Sequence, residues 1–334
     1  MGINMKVLVT GATGFLGSHI VEQLQCQGWQ VRCLVRASSD IRFLCTLSQV
    51  ELMVGDLTDT EILEQSLTGV DAVIHCAALT KAKNPSEFYQ VNVQGTVALL
   101  EAAKKFQDTL QRIVLVSTLA AAGPAAPGRP HRPDSPNSAQ PVSHYGRSKL
   151  LAEQKAAEFT DLLPITILRF PMIYGPRDKE ILPIFKAAKW GCCVFPTKRE
   201  NGLSVIYASD AAAAVIKALK QSVASGSCYY IDDGHIRSWQ EMLAEVKSAL
   251  GVPYSVQITM PRLVMQSVAF MVEQYGRIRR KSVMLTRDKL NELYQPFWTC
   301  DSTDAQRDLA WQPQVSWAEG VKLTCQWYEQ AEWM

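Results

Sequence analysis

The chain has almost no charge excess. Its 334 residues set 34 Lys and Arg against 32 Asp and Glu, a formal net charge of +2. Such a balance gives no molecule-wide field to draw in nucleic acid, so no nucleic-acid partner is expected. Long apolar runs are missing too. None approaches the roughly 20 residues a membrane-spanning helix needs, so no integral span is expected. The N-terminus passes into a strand-like segment with no secretory apolar region. Lys6 stands where a lipidation signal beginning Met-Gly needs Ser or Thr. Nine scattered cysteines, of which only Cys192 and Cys193 adjoin, form neither a disulfide framework nor a metal-ligand spacing. No metal site is expected, and the cysteines read as buried thiols of a cytoplasmic protein. No internal repeat is visible.

What is present is a 47% hydrophobic composition, enough for a large core. Short, almost wholly apolar segments at 6–10, 30–35, 50–55, 70–76, 112–117 and 165–169 read as strands covered on both sides. Amphipathic helices alternate with them: about Phe15 to Gln27, one capped near Asp59, one opening at "NPSE" (84–87), and one from His144 to Phe159. This alternation predicts a parallel sheet with helices on both faces. Six prolines between Ala120 and Ser143 exclude a regular element there and mark a lid or binding loop. Further on, "SWQE" (238–241) and "SWAE" (316–319) are capping boxes at two helix starts.

The stretch "VTGATGFLG" (9–17) follows the first strand and runs into a helix. There Gly11 and Gly14 permit a sharp turn and close approach to a pyrophosphate held by the helix N-terminus, and Gly17 lets the helix pack on the strand. The expectation is a Rossmann-type, doubly wound α/β fold binding a dinucleotide. Residues 1–170 form the dinucleotide half; 171–334 form a smaller, mixed substrate region, with 203–233 returning to the core. An acidic residue about 20 positions past the glycines would select NAD. Arg36 stands there instead, followed by two serines, so NADP(H) is favoured, with NAD(H) the alternative if Asp40 takes the acid's place. Asp56 and Leu57, ending the third strand, would lie beside the adenine.

In "HYGRSKLLAEQ", Tyr145 and Lys149 are four apart and face the same way on one helix. A neighbouring ammonium should lower the phenol's pKa and fit Tyr145 to move protons near neutral pH. Ser117 and Thr118 end the fifth strand and could hold a substrate oxygen, although a Thr there can simply cap the edge. His75 and His144 read as packing residues or caps. Residues 264–281, apolar and then basic, could touch a membrane surface or a hydrophobic substrate; a helix packed on its own domain is the reading taken here.

Several motifs in fixed order are similar to those of the extended short-chain dehydrogenases/reductases, also called the NAD(P)-dependent epimerase/dehydratase family. They are "TGATGFLG" (10–17), "GDLTD" (55–59), "HCAA" (75–78), "NVQGT" (92–96), "LVSTLA" (115–120), "YGRSK" (145–149) and "RFPMIYGPRD" (169–178). The resemblance implies that Thr118, Tyr145 and Lys149 are catalytic and that Lys149 also holds the nicotinamide ribose. It implies that Asn92 supports a helix and a relay water, though a buried Asn satisfying backbone groups accounts for it equally well. It places Thr13, Phe15, Leu16, Cys76, Ala77, Ala78, Ser117 and Pro171 around the cofactor. Homodimers built from two helices of each subunit are common in that family. Sugar-nucleotide members commonly carry an Asn after the Arg-Phe of the sixth strand, where this chain has Pro171 and Met172. The pattern is closer to the hydroxysteroid-dehydrogenase and dihydroflavonol-reductase branch, so a small hydrophobic alcohol or ketone is the expected substrate. The alternatives are a sugar-nucleotide epimerase or dehydratase, and a non-catalytic NADP-binding sensor or assembly subunit.

Overall fold

The computed structural model describes residues 5–133, 139–195, 200–279 and 281–334. Its first half alternates as the sequence predicts: β1 (Lys6–Thr10), α1 (Phe15–Cys26), β2 (Gln30–Val35), β3 (Val50–Val54), α2 (Thr60–Leu67), β4 (Ala72–His75), α3 (Pro85–Phe88), α4 (Gly95–Ala103) and β5 (Arg112–Thr118). Then come α5 (Leu119–Ala122), α6 (His144–Ala157), β6 (Ile165–Phe170), β7 (Met172–Tyr174), α7 (Leu182–Lys189), β8 (Cys192–Phe195), β9 (Gly202–Leu203), β10 (Val205–Tyr207), α8 (Ala208–Lys220) and β11 (Ser227–Tyr230). The chain ends with α9 (Trp239–Ala249), β12 (Val256–Thr259), α10 (Arg262–Arg279), α11 (Arg287–Leu293), β13 (Phe297–Trp298), α12 (Thr303–Asp308) and α13 (Trp317–Gln330).

Seven parallel strands form the central sheet in the order β3-β2-β1-β4-β5-β6-β11. Strand alternation divides the core between its faces. Val7 and Val9 of β1 pack with α1 and α8, while Leu8 between them packs with α2, α4 and α6. The order reverses between β1 and β4, which opens a crevice at the carboxyl ends of those strands. A third core, built around Tyr174, Phe185, Trp317 and Tyr328, holds the C-terminal region beside that crevice.

The 120–143 segment is not wholly irregular. Its first residues belong to the one-turn helix α5, capped by Thr118, while 134–138 fall outside the described residues. The "SWQE" box closes both of its bonds, Glu241 N–H to Ser238 Oγ at 3.2 Å and Ser238 N–H to Glu241 Oε2 at 2.7 Å. In "SWAE" the bond to Ser316 Oγ is present at 3.3 Å. Ser238→Ala should destabilise the protein by about 1 kcal/mol, measured by urea unfolding.

Candidate active site

Gly11 turns the chain at φ +74°, and a Cβ there would lie 2.6 Å from the Ala77 amide nitrogen, so glycine alone lets β1 and the end of β4 close together. Gly14 is the N-cap of α1, without a side-chain cap and with no acidic residue in the first turn. Gly17 packs against the Gly11 carbonyl, on the turn rather than on the strand. The uncapped amide end of a 12-residue helix thus faces the crevice, a fit for an anion.

A cleft of about 1660 Å³ begins there and runs toward the C-terminal region. Thr13, Phe15, Leu16, Arg36, Asp56, Leu57, Cys76, Ala77, Ala78, Ser117 and Pro171 all line it with the three glycines. Arg36 is exposed at the end of β2, and its amide donates to Ser39 Oγ at 3.2 Å. Asp40 is gripped by Arg42 through bonds of 2.8 and 2.5 Å, which hold its carboxyl below the usual range. Asp56 accepts from the Thr58 amide and hydroxyl at 3.1 and 3.0 Å.

Midway along the cleft α6 presents Tyr145 and Lys149. Ser143 caps this helix by accepting from Gly146 N–H at 2.9 Å. A Cβ on Gly146 would sit 2.3 Å from the Ala120 carbonyl oxygen, so this glycine is what lets α6 bring Tyr145 against the end of β5. There the Thr118 hydroxyl hydrogen-bonds Tyr145 while also accepting from Ala120 N–H at 3.2 Å. Thr118 therefore caps α5 and addresses the phenol at once.

The electrostatics differ from the sequence expectation. Burial raises the Tyr145 hydroxyl well above the ordinary phenol range, the Glu292 and Glu180 carboxylates add to this, and the Thr118 bond opposes it. Lys149 is itself held low by burial, and its Nζ donates to the Val116 carbonyl at 2.8 Å. The ammonium shares the helix face with the phenol but spends its bond on backbone, so desolvation decides the direction of the shift.

Asn92 stands in a π-helical turn, Tyr89–Gln94, where Oδ1 accepts from Leu79 N–H at 2.7 Å and Nδ2 donates to Leu79 O and Ser148 Oγ at 3.1 and 2.9 Å. It ties the segment after β4 to α6. Ser117 turns its hydroxyl away from the crevice to Glu153. His75 is a buried packing residue between the Thr10 and Thr96 hydroxyls at 2.7 and 2.9 Å, its pKa lowered by burial to about 3. His144 Nδ1 lies 3.2 Å from the Tyr89 hydroxyl, and its amide donates to Asp288 at 2.8 Å.

Two groups beside the site have no part in the sequence reading. Beneath the strand ends, Glu153 and Arg169 form a buried pair, with Arg169 Nε 3.1 Å from Oε1 and Nη2 2.5 Å from Oε2. Arg169 Nη1 donates to the Tyr230 hydroxyl at 2.6 Å. The signal was present, because Tyr145, Lys149 and Glu153 repeat every four residues on one face of α6. From α11 come Lys289, whose Nζ is 6.0 Å from the centre of the Tyr145 ring, and Glu292, which accepts from Ser143 and Lys289. Nothing local in the sequence could place these beside residue 145.

One expectation is overturned. Cys26 and Cys45 are exposed, since both lie on helical turns outside the core, so the thiols are not uniformly buried. The helix within 264–281 packs against α11 and buries Ala269 and Gly276, as the sequence predicts, and at the same time leaves Leu263, Val264, Phe270, Met271, Tyr275 and Ile278 exposed.

Residues 7–231 match the NAD dependent epimerase/dehydratase family. The chain is 29% identical to ceramide reductase of Caulobacter vibrioides, covering 98% of this chain and 96% of that one. It is 28% identical to 2-alkyl-3-oxoalkanoate reductase of Stenotrophomonas maltophilia, covering 95% and 98%. The structure of dTDP-glucose 4,6-dehydratase from Bacillus anthracis in complex with NAD superposes with a TM-score of 0.78 at 21% identity, over 98% of this chain and 97% of the other, which reflects a common fold. With a seven-stranded doubly wound sheet, the glycine turn and this match across two thirds of its length, the chain belongs to the NAD dependent epimerase/dehydratase family of extended short-chain dehydrogenases/reductases and is an enzyme of the dehydrogenase/reductase or epimerase kind.

Proposed function

We propose that the protein is an NADP(H)-dependent reductase of a hydrophobic ketone, with Tyr145 as the proton donor. The observation that carries this reading is the cleft beyond Tyr145, walled by Leu203, Trp239, Met284, Leu285, Leu293 and Trp298. Such a wall favours an apolar substrate over a sugar diphosphate. Two full-length relatives named for ceramide and for 2-alkyl-3-oxoalkanoates agree with it. When bound, the nicotinamide would supply the hydride. The Thr118 hydroxyl accepts from Ala120 and bonds Tyr145, and with substrate bound it would turn its single O–H proton from the phenol to the ketone oxygen. Burial keeps the Tyr145 proton in place at neutral pH, the state that reduction needs. Lys149 would hold the cofactor ribose, and Asn92 would fix the α6 backbone. Residues 1–170 and 203–233 would bind cofactor and the remainder substrate, in a cytoplasmic protein whose nine cysteines are all free.

Arg36 is the proposed partner of the 2′-phosphate, since Asp40 is already committed to Arg42. Arg36→Ala should raise the KM for NADPH by about tenfold to a hundredfold, the worth of a charged hydrogen bond, and leave the KM for NADH unchanged. The deciding experiment follows NADPH oxidation against sterol-like, alkyl-chain, flavonoid and sugar-nucleotide carbonyls. Turnover confined to the sugar nucleotides would overturn the reading. Because reduction needs the protonated phenol, its rate should stay level through neutral pH and fall only on the alkaline side, while alcohol oxidation rises over the same range.

A further inference from the structure

Among the described residues, sixteen large apolar side chains are exposed, and ten of them lie between Tyr254 and Met284. On α10 they follow the helical repeat. Leu263, Val264, Phe270, Met271, Tyr275 and Ile278 form an outward stripe, while Ala269 and Gly276 bury the opposite side. Leu263 is 78% and Ile278 81% exposed, unusual for apolar side chains that have no partner to cover them. Charge is concentrated in the same place. From Arg262 to Lys289 the sequence holds seven Lys and Arg against two Asp and Glu, in a chain whose net charge is only +2. Glu273, one of those two acids, is already paired with Arg287 at 3.0 Å. Arg277 and Arg279 are exposed in the last turn of α10.

We propose that α10 lies in the surface of an anionic bilayer, its apolar stripe in the acyl boundary and its arginines at the lipid phosphates. A convex apolar helix face with a basic rim has the chemistry of an interfacial helix. A second copy docking through the same face would bring two arginine-rich rims together, which like-charge repulsion opposes. Beyond α10 the chain turns back, with Lys281 N–H donating to Gly276 O at 2.9 Å, and then supplies Met284 and Leu285 to the cleft wall. The docked face and the mouth of the cleft are therefore joined by a few residues. The docking stands on α10 alone; its purpose, passing a lipid-like ketone from bilayer to cleft, rests on the function proposed above.

Co-sedimentation of the full-length protein with phosphatidylcholine vesicles, with and without phosphatidylglycerol, tests this directly. Binding is expected with the anionic vesicles and should be released by salt. The pair Arg277→Gln and Arg279→Gln should bind about thirtyfold more weakly, from the usual contribution of a basic residue at an anionic surface. The pair Leu263→Glu and Ile278→Glu should abolish binding with an unchanged circular-dichroism melt. Equal binding to both vesicle types, no binding to either, or full binding by the glutamate pair overturns the proposal. So does a dimer, seen by light scattering, that the glutamate pair converts to monomer with no vesicle binding, which would assign the face to a second copy. Sedimentation uses neither cofactor nor ketone, so its failure leaves the reductase reading intact.

Discussion

If Tyr145 is the proton donor of the proposed ketone reduction, Tyr145→Phe should lower kcat by about 10²–10⁴-fold, the contribution of a positioned acid, and leave the dissociation constant for NADPH unchanged. The substitution removes one oxygen and keeps the ring, which packs against Phe88 with centroids 6.1 Å apart. The helix should therefore hold its place, and the loss should fall on the chemical step. Stopped-flow single-turnover rates and fluorescence titration with NADPH separate the two effects. Thr118→Val is the companion test. It removes the hydroxyl that Tyr145 and Ala120 share, so it should lower kcat and also loosen α5. Retained turnover in Tyr145→Phe would remove Tyr145 from the role.

Arg169→Leu alone, or Glu153→Leu alone, should destabilise the protein by about 3–5 kcal/mol, because each leaves a buried charge without its partner. Arg169 is 8% and Glu153 5% exposed, so water cannot replace the lost contact. The double substitution should recover much of that loss, since two apolar side chains leave no orphaned charge. Urea unfolding of the four proteins closes the cycle. Additive losses would mean that the two residues contribute separately. Activity adds a second readout, because Ser117, one residue before Thr118, also bonds Glu153. If the pair only stabilises the fold, the double variant will turn over normally; if it also positions the end of β5, kcat will stay low after stability returns.

The fold was legible because its determinants are local. Apolar runs too short for helices, separated by amphipathic ones, specify covered parallel strands, and "VTGATGFLG" fixes where the sheet meets the helix. The Tyr145–Lys149 register was legible for the same reason, as a fixed offset on one helix. What the sequence reading misjudged was energetic. It treated the ammonium at 149 as the dominant influence on the phenol, whereas burial outweighs it once Lys149 has turned to the Val116 carbonyl. The apolar stretch from 264 was legible as a helix packed on its own domain, but its outward apolar stripe was not, because hydrophobicity alone does not say whether a face is covered from within or from outside. Lys289 and Glu292 come to Tyr145 from 144 and 147 positions away, a convergence that only the assembled C-terminal region produces.

The edge strand β11 enters the sheet only after the chain has gone out through β7, α7 and β10 and come back along α8. Two separable modules cannot be made by a single cut after residue 170, because the first would lack β11 and the cover of α8 over Val7 and Val9. A chimera that borrows another relative's specificity must therefore graft two pieces around a retained return crossing, and an insertion within β10, α8 or β11 should weaken coenzyme capture although it lies far along the sequence from the glycine turn, because α8 packs on α1 and β1 behind that turn.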